Sequence, residues 1–148
     1  MSMFMPSSVS VFETLLPVAG SSLAACQGLK FLLAKRRCKT TSWHRLLQPG
    51  GMPSSHAAIV TSLTTSMGLY YGWTSPFFQL AAVFSAIVIY DAITLRRAVG
   101  EHARRINLIF RREGGPSGDD LLENLGHTPV EVSMGALIGI FVALIFFN

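Results

Sequence analysis

The sequence predicts an all-α integral membrane protein, a bundle of about four transmembrane helices with one amphipathic helix along the interface. The composition is the first reason, because half of the residues are hydrophobic, only 14% are charged and the mean hydropathy is +0.45. Such values lie outside the usual range of soluble domains. The second reason is that four apolar segments approach the roughly 20 residues that span a bilayer as a helix. At 148 residues we expect a single membrane domain, residues 1–148.

The four predicted spans differ in how apolar they are. The second has five Ser and Thr residues and the third contains Asp91, whereas the fourth is the most uniformly apolar. Polar groups inside a membrane are expected to face other helices rather than lipid, so a compact bundle is predicted. The predicted spans are residues 12–34, 57–73, 77–95 and 130–147.

The positive charges are confined to two segments of the chain. All twelve Lys and Arg residues fall in residues 30–45 and 96–112, and four spans place both segments on one side of the membrane. The excess of positive charge in cytoplasmic loops predicts that this side is cytoplasmic. We therefore expect the catalytic loops, residues 35–56 and 96–129, to face the cytoplasm. The four histidines lie on the same side: His44, His56, His102 and His127.

Other classes of protein are disfavoured by the same composition. Cys26 and Cys38 are twelve positions apart, which fits neither a disulfide framework nor a paired metal site. The net charge of +4 comes without a nucleic-acid-binding motif, so we expect the bilayer, and not a nucleic acid, as partner. Residues 1–12 contain no Lys or Arg, which argues against a cleaved signal peptide. No cofactor is expected.

Residues 95–110 have the pattern of an interfacial helix. Val99, Ile106 and Phe110 are apolar positions among arginines, as in an amphipathic helix that lies along a membrane surface. The remaining arginines of this region are interpreted as anchors for anionic headgroups. They are Arg104, Arg105, Arg111 and Arg112.

The first candidate site segment, residues 50–56, directly precedes the second span. Its glycines permit close backbone approach, and Ser54 or Ser55 can cap the following helix. Free amides at a helix start bind phosphate oxygens, the hydroxyl of Ser54 or Ser55 can add a further donor to the phosphate, and His56 is placed to transfer a proton. The alternative is an ordinary capped turn with a surface histidine.

The second candidate segment begins the fourth span. His127 and Glu131 are four positions apart and can share one helix face, with Pro129 tolerated in the first turn. A carboxylate that accepts a hydrogen bond from one imidazole nitrogen leaves the other as a nucleophile. The alternative is an i,i+4 surface pair.

The third candidate group combines a membrane-embedded acid with arginines. Asp91 lies about one and a half helical turns before Arg96 and Arg97, and we expect it to orient one of them. The planar guanidinium suits the oxygens of a transferring phosphoryl group. A structural salt bridge is the alternative, and Lys30 is either a snorkelling lysine or a further phosphate ligand.

The predicted topology brings these groups to one membrane face. A helix start that binds phosphate, two histidines and several cations make a phosphoryl-transfer site that needs no cluster of carboxylates for metal. The sequence therefore predicts a metal-independent membrane phosphatase with His127 as nucleophile and His56 as general acid.

Three motifs resemble those of the type 2 phosphatidic acid phosphatase superfamily, and in particular its divergent branch of small membrane proteins related to acid phosphatases and vanadium haloperoxidases. They are Gly-Gly-Met-Pro-Ser-Ser-His at 50–56, Tyr-Asp-Ala-x-x-x-Arg-Arg at 90–97 and Leu-Gly-His-Thr-Pro-x-Glu-Val at 125–132. The resemblance runs from about Lys30 to the C-terminus.

The resemblance implies a histidine nucleophile with a carboxylate partner, a second histidine as acid, and Lys, Arg and Ser around the phosphate. Pro53-Ser54-Ser55-His56 matches the Pro-Ser-x-His motif, and His127-x-x-x-Glu131 is similar to the His-x-x-x-Asp pair with Glu substituted. The spacing departs from the family pattern, in which an Arg stands six positions before the nucleophile. Arg96 has that offset to His102, but Ile106 follows where the carboxylate is needed, so His127 is preferred.

A cytoplasmic site fed from the bilayer predicts a lipid phosphomonoester as substrate, such as phosphatidylglycerophosphate or phosphatidic acid. The alternatives are a polyprenyl pyrophosphate phosphatase, which would suit the opposite orientation, and a non-catalytic protein that binds lipid headgroups. The glycine pairs 68/72 and 135/139 have the spacing of close helix contacts. They fit either a homodimer or packing within the chain.

Overall fold

A computed structural model of the protein describes residues 11–37, 51–112 and 120–148. The predicted loop 35–56 therefore lies partly outside the described residues, as do His44, Gly50 and residues 113–119. The described residues form helices and no strand, which confirms the all-α prediction. The helices are α1 (Val11–Arg37), α2 (Ser55–Tyr71), α3 (Pro76–Ile93), α4 (Leu95–Arg112) and α5 (Pro129–Phe147).

Helix α2 is the centre of the bundle. It packs against α1, α3 and α5, whereas the described parts of α1 and α3 do not touch each other. Helix α2 ends at Tyr71, where Gly72 takes a φ of 91°, two residues before the end of the predicted span. Helix α3 ends at Ile93, and Thr94 separates it from α4. One end of the bundle contains the starts of α2, α4 and α5 together with the end of α1.

The buried side of α1 is a stripe at four-residue spacing. Val18, Ser22 and Cys26 are fully buried, and Lys30 is the next position on that stripe. Residues four apart lie above one another on a helix face. Since α1 packs on α2 and α5, this spacing brings Lys30 to the inner side of α1 near the candidate site.

The polar residues of α2 face protein, as the sequence predicted. The Thr61 hydroxyl donates to the carbonyl of Ala57 at 2.7 Å and also lies 3.2 Å from the carbonyl of Ala136 in α5. On another side, Thr64 and Ser85 of α3 form a hydroxyl pair at 2.6 Å. Hydrogen bonds of this kind satisfy polar groups that lipid would leave unpaired.

Three of the helical segments are long and apolar enough to cross a membrane. They are Thr14–Leu33, the stretch Pro76–Arg112 that holds α3 and α4, and Pro129–Phe147. Helix α2 is not among them, since it has 17 residues and many hydroxyl side chains. The prediction of an all-α membrane bundle is confirmed, and the second predicted span, 57–73, remains a prediction that the central position of α2 in the bundle favours.

Three of the four glycines in these pairs lie in close contact with other parts of the same chain. A Cβ at Gly135 would collide with the carbonyl oxygen of Ser54, and one at Gly139 with that of Ala58. A Cβ at Gly68 would meet the ring of Trp73. These contacts fit packing within the chain, which was one of the two alternatives, and the homodimer stays a prediction without support from these glycines.

Candidate active site

The loop before α2 is tied to the first turn of α5. Ser54 is fully buried, and its amide donates to the Glu131 carbonyl at 2.9 Å. Its hydroxyl accepts from the Ala57 amide at 3.4 Å, so it caps α2 in the way its sequence position predicted. Because the hydroxyl already serves its own helix, Ser54 contributes to the site mainly by fixing the start of α2.

The start of α2 presents unused amides. Among the described residues, no group accepts a hydrogen bond from the amides of Ser55 or His56. The first amides of a helix have no partner within the helix and carry the positive end of its dipole. The side chain of Ser55 is partly exposed and that of His56 is exposed, so this helix start is accessible.

His127 lies at the junction of α3 and α4. Its amide donates to the carbonyl of Ala92 at 3.0 Å, and its side chain is 6% exposed. The preceding Gly126 has a φ of 86° and lies directly on the backbone of Arg96 and Arg97, where a Cβ would not fit. A glycine is therefore required to bring His127 against this junction.

Glu131 has two neighbours in the first turn of α5. Its Oε2 accepts a hydrogen bond from the Thr128 amide at 2.8 Å, and the Thr128 hydroxyl accepts from the Glu131 amide at 3.3 Å, which together form a capping box. The same Oε2 lies 3.5 Å from Nδ1 of His127. Nδ1 is buried without a hydrogen-bond partner among the described residues.

Burial lowers the pKa of His127 below its ordinary value of 6.5. The carboxylate of Glu131 acts in the opposite direction, while the positive charge of Lys30 and the nearby ring of His56 add to the lowering. The imidazole is therefore neutral at pH 7, the state in which a ring nitrogen has a free lone pair.

His56 precedes the predicted second span and lies in the field of two cations. Partial desolvation lowers its pKa below 6.5, and the charges of Arg96 and Lys30 lower it further, against the weaker effect of Asp91. Lys30 acts on both histidines and on Glu131. The fold thus brings together residues from all five described helices and from the segment before α5 that are distant in sequence.

Asp91 and Arg96 form the ion pair that the sequence predicted as one of two possibilities. Nε of Arg96 donates to Oδ2 of Asp91 at 2.7 Å, and both side chains are partly exposed. Arg97 is exposed, and the described residues give its side chain no ion-pair partner. Asp91 therefore orients the guanidinium of Arg96, whereas no acid of the described residues pairs with the guanidinium of Arg97.

The other arginines of α4 lie apart from the Asp91–Arg96 ion pair. Glu101 pairs with Arg104 and Arg105, and Asp120 pairs with Arg111. His102, the alternative nucleophile, is exposed on the same helix. No three His, Cys, Asp or Glu side chains within residues 11–37, 51–112 and 120–148 lie close enough together to hold a metal ion.

Sequence reasoning missed the roles of three residues, two of which build the site and one of which lies outside it. Thr128 had a recognisable signal, since Thr-x-x-Glu before an apolar run is the pattern of a capping box. Gly135 had been interpreted only as a helix-contact glycine. Asn107 had no local signal, because its partners lie fourteen and sixteen positions away.

Similarity to known proteins identifies the family of the chain. The model of the divergent PAP2 family matches residues 11–142. The chain belongs to the divergent PAP2 family. The match begins well before Lys30, so the similarity covers more of α1 than the motifs alone indicated.

A bacterial relative of this divergent PAP2 protein covers almost the whole chain. It is the uncharacterized membrane protein YuiD of Bacillus subtilis (strain 168), which is 37% identical over 142 residues. The alignment covers 84% of this chain and 90% of the relative. No solved structure is significantly similar to the chain. Family membership and the apolar helices establish an integral membrane protein related to PAP2 phosphatases.

Proposed function

We propose that this divergent PAP2 protein is a lipid phosphatase, a phosphoric monoester hydrolase that works through a phosphohistidine on His127. The observation that carries the proposal is the position of His127, which is buried and neutral, with Nδ1 3.5 Å from a carboxylate and with Lys30 and His56 nearby. A buried histidine among cations at a helix start fits phosphoryl transfer better than it fits packing.

The proposed reaction has two steps. Nε2 of His127 attacks phosphorus in line, the bond between phosphorus and the lipid oxygen breaks, and protonated His56 gives its proton to that oxygen. Water then attacks the phosphohistidine, with neutral His56 accepting a proton from the water, and phosphate leaves as the His127 nitrogen regains its lone pair. During both steps Glu131 moves closer than the 3.5 Å seen in the structure, accepts a hydrogen bond from Nδ1 and so holds the His127 ring. No step requires a metal or another cofactor.

The transition state is stabilised by cations and helix amides. Lys30, Arg96 and Arg97 neutralise the charge on the three equatorial oxygens, and the amides of Ser55 and His56 donate to them. Ser54 keeps these amides in place from its buried cap. Asp91 limits the motion of the Arg96 guanidinium.

The proposed substrate is a lipid phosphomonoester of the phosphatidylglycerophosphate or phosphatidic acid type, taken from the cytoplasmic leaflet. The site lies at one end of a bundle in which three helical segments are apolar enough to cross a membrane, so a headgroup could reach it while the acyl chains stay in the bilayer. The distribution of Lys and Arg supports the cytoplasmic orientation.

The test is phosphate release by the purified protein in detergent, in the presence of EDTA, from a panel of lipid phosphomonoesters and pyrophosphates. His127→Ala and His102→Ala are assayed alongside. We expect release from a phosphomonoester that disappears in His127→Ala and persists in His102→Ala, with radioactive phosphate trapped on the wild type. Loss only in His102→Ala would assign the nucleophile to α4 instead.

Two other functions are outcomes of the same experiment. Preferred release from a polyprenyl pyrophosphate would change the substrate class. Lipid binding by the folded wild type without any release would indicate a protein that binds headgroups, a function compatible with a Glu131 that only caps its helix.

The orientation has its own test. Asn124→Cys, an exposed position on the same side as the site, is introduced into a protein with Cys26→Ala and Cys38→Ser. We expect a membrane-impermeant maleimide to label it in inside-out vesicles and not in right-side-out vesicles. The reverse labelling would refute the cytoplasmic site.

A further inference from the structure

Asn107 makes the most complete set of side-chain hydrogen bonds in the described residues, and it lies outside the candidate site. Its Nδ2 donates to the Leu121 carbonyl at 2.9 Å and to Oε1 of Glu123 at 2.8 Å, while its Oδ1 accepts from the Leu121 amide at 2.9 Å. The residue is 3% exposed. An asparagine that hydrogen-bonds both the amide and the carbonyl of one residue holds that residue in a fixed place and orientation.

The bonded residue belongs to a segment that runs along α4, residues 120–126, which we call the strap. Gly100 lies under its middle, where a Cβ would be 2.6 Å from the carbonyl oxygen of Glu123. At its far end Gly126 lies on the Arg96–Arg97 backbone, and His127 follows at once. The strap thus crosses α4 from the Arg111–Asp120 ion pair to the nucleophile proposed above.

The strap is held at three places along its length. Asn107 bonds both backbone groups of Leu121, the backbone of Glu123 and Leu125 lies against Gly100, and Gly126 lies on the backbone of Arg96 and Arg97. A short segment held at both ends and in its middle has little freedom to shift, so fixing Leu121 restricts where His127 can lie.

We infer that Asn107 is a positioning residue for His127, acting through the strap from a place more than two helical turns away from the site. The expected effect on catalysis rests on the proposed function, whereas the effect of Asn107 on the position of the His127 ring does not depend on it. Without Asn107, the strap keeps the Arg111–Asp120 pair and the close contact at Gly100, but it loses the bonds that set its register on α4. The His127 ring then samples more orientations relative to Glu131, and it becomes better hydrated.

The test compares Asn107→Ala with Asn124→Ala, which makes the same change on the strap at an exposed side chain. Hydrogen exchange of the Leu121 amide, the pKa of His127 by NMR in detergent, and the steady-state constants are measured on the full chain. In Asn107→Ala we expect Leu121 exchange to rise about fivefold or more, since the lost hydrogen bond to its amide is worth about fivefold. The pKa of His127 should move up toward 6.5, and kcat should fall about tenfold or more with KM within about twofold. Asn124→Ala should leave all of them unchanged.

Asn107→Asp is the second variant, in case Asn107→Ala does not fold. It keeps the volume and the acceptor for the Leu121 amide but loses both donors and places a second carboxylate near Glu123. We expect the His127 pKa and kcat to move in the same direction as in Asn107→Ala, while exchange of the Leu121 amide, which keeps its acceptor, changes less. In Asn107→Ala, unchanged Leu121 exchange would overturn the inference, and in either variant an unchanged His127 pKa with an unchanged kcat would do so. If the wild type releases no phosphate, the proposed function fails, while Leu121 exchange and the pKa of His127 still decide the positioning role.

Discussion

Nδ1 of His127 lies 3.5 Å from Oε2 of Glu131, and that same oxygen accepts a hydrogen bond from the Thr128 amide. One carboxylate therefore caps the start of α5 and faces a buried imidazole at the same time. A capping box requires Glu or Gln at the third helical position, and a shorter Asp would not reach back to the Thr128 amide in the same way. This is a structural reason why Glu stands where the related families have Asp.

Glu131→Gln separates the two roles of this carboxylate. Glutamine can still accept the Thr128 hydrogen bond, so thermal stability should change by less than about 0.5 kcal/mol. The neutral amide cannot stabilise a charged imidazole, so we expect kcat for lipid phosphate hydrolysis to fall on the order of a hundredfold or more. Glu131→Ala is the comparison, and it should also lose about 1 kcal/mol of stability with the cap. Full activity in Glu131→Gln would show that the carboxylate only caps the helix.

The pH dependence follows from two lowered pKa values. His127 must be neutral to attack, and its pKa is below 6.5, so the acid limb of kcat/KM lies below pH 6.5. His56 must be protonated to give its proton away, and its pKa is lowered too, so activity already declines as pH rises through the same range. We expect a maximum on the acid side of pH 6.5.

A charge variant checks the cause of the alkaline limb. Arg96→Gln removes a positive charge that lowers the pKa of His56, so the alkaline limb should move to higher pH whatever happens to the maximal rate. Arg97→Gln is the matched control and should leave the position of the limb unchanged. A maximum above pH 7 in the wild type would contradict the assignment of both histidines.

Gly135→Ala tests the contact that joins α5 to Ser54 at the start of α2. The new methyl group would collide with the Ser54 carbonyl oxygen, so α5 must move away from the start of α2. We expect a loss of about 1–3 kcal/mol in stability against SDS unfolding, together with a loss of activity.

Gly28→Ala in α1 is the control for this change, because a Cβ there meets nothing within 4 Å. Replacing a helical glycine by alanine in open space should be neutral or stabilise by up to about 1 kcal/mol. Equal effects of the two substitutions would mean that the Gly135 contact does not hold the site together.

Asp91→Asn tests the orientation of Arg96. The ion pair is partly exposed, so its loss should cost less than about 1 kcal/mol of stability. If Arg96 needs Asp91 to face the phosphate, KM for the lipid should rise several-fold while the thermal midpoint stays nearly unchanged. Tyr90→Phe, an exposed neighbour, is the control and should change neither quantity. An unchanged KM in Asp91→Asn would reduce the pair to a structural contact.

The sequence by itself determined the class of the protein and supplied the candidate site residues. Hydropathy gave an all-α membrane bundle, because the cost of unpaired backbone groups in lipid leaves a long apolar segment few other structures. Local patterns also predicted a serine cap before α2, the helix α4 and the pairing of Asp91 with one of two arginines, since all of these depend on residues within a helical turn or two.

The tertiary structure alone decided how these pieces combine. The four-residue stripe of α1 brings Lys30 toward His127, Gly135 brings α5 against Ser54, and Asn107 fixes the strap. Each of these contacts joins residues far apart in the chain, so no local pattern encodes it. Whether His127 is a surface residue or a buried, neutral imidazole depends on them, because burial and the charges of other helices set its pKa.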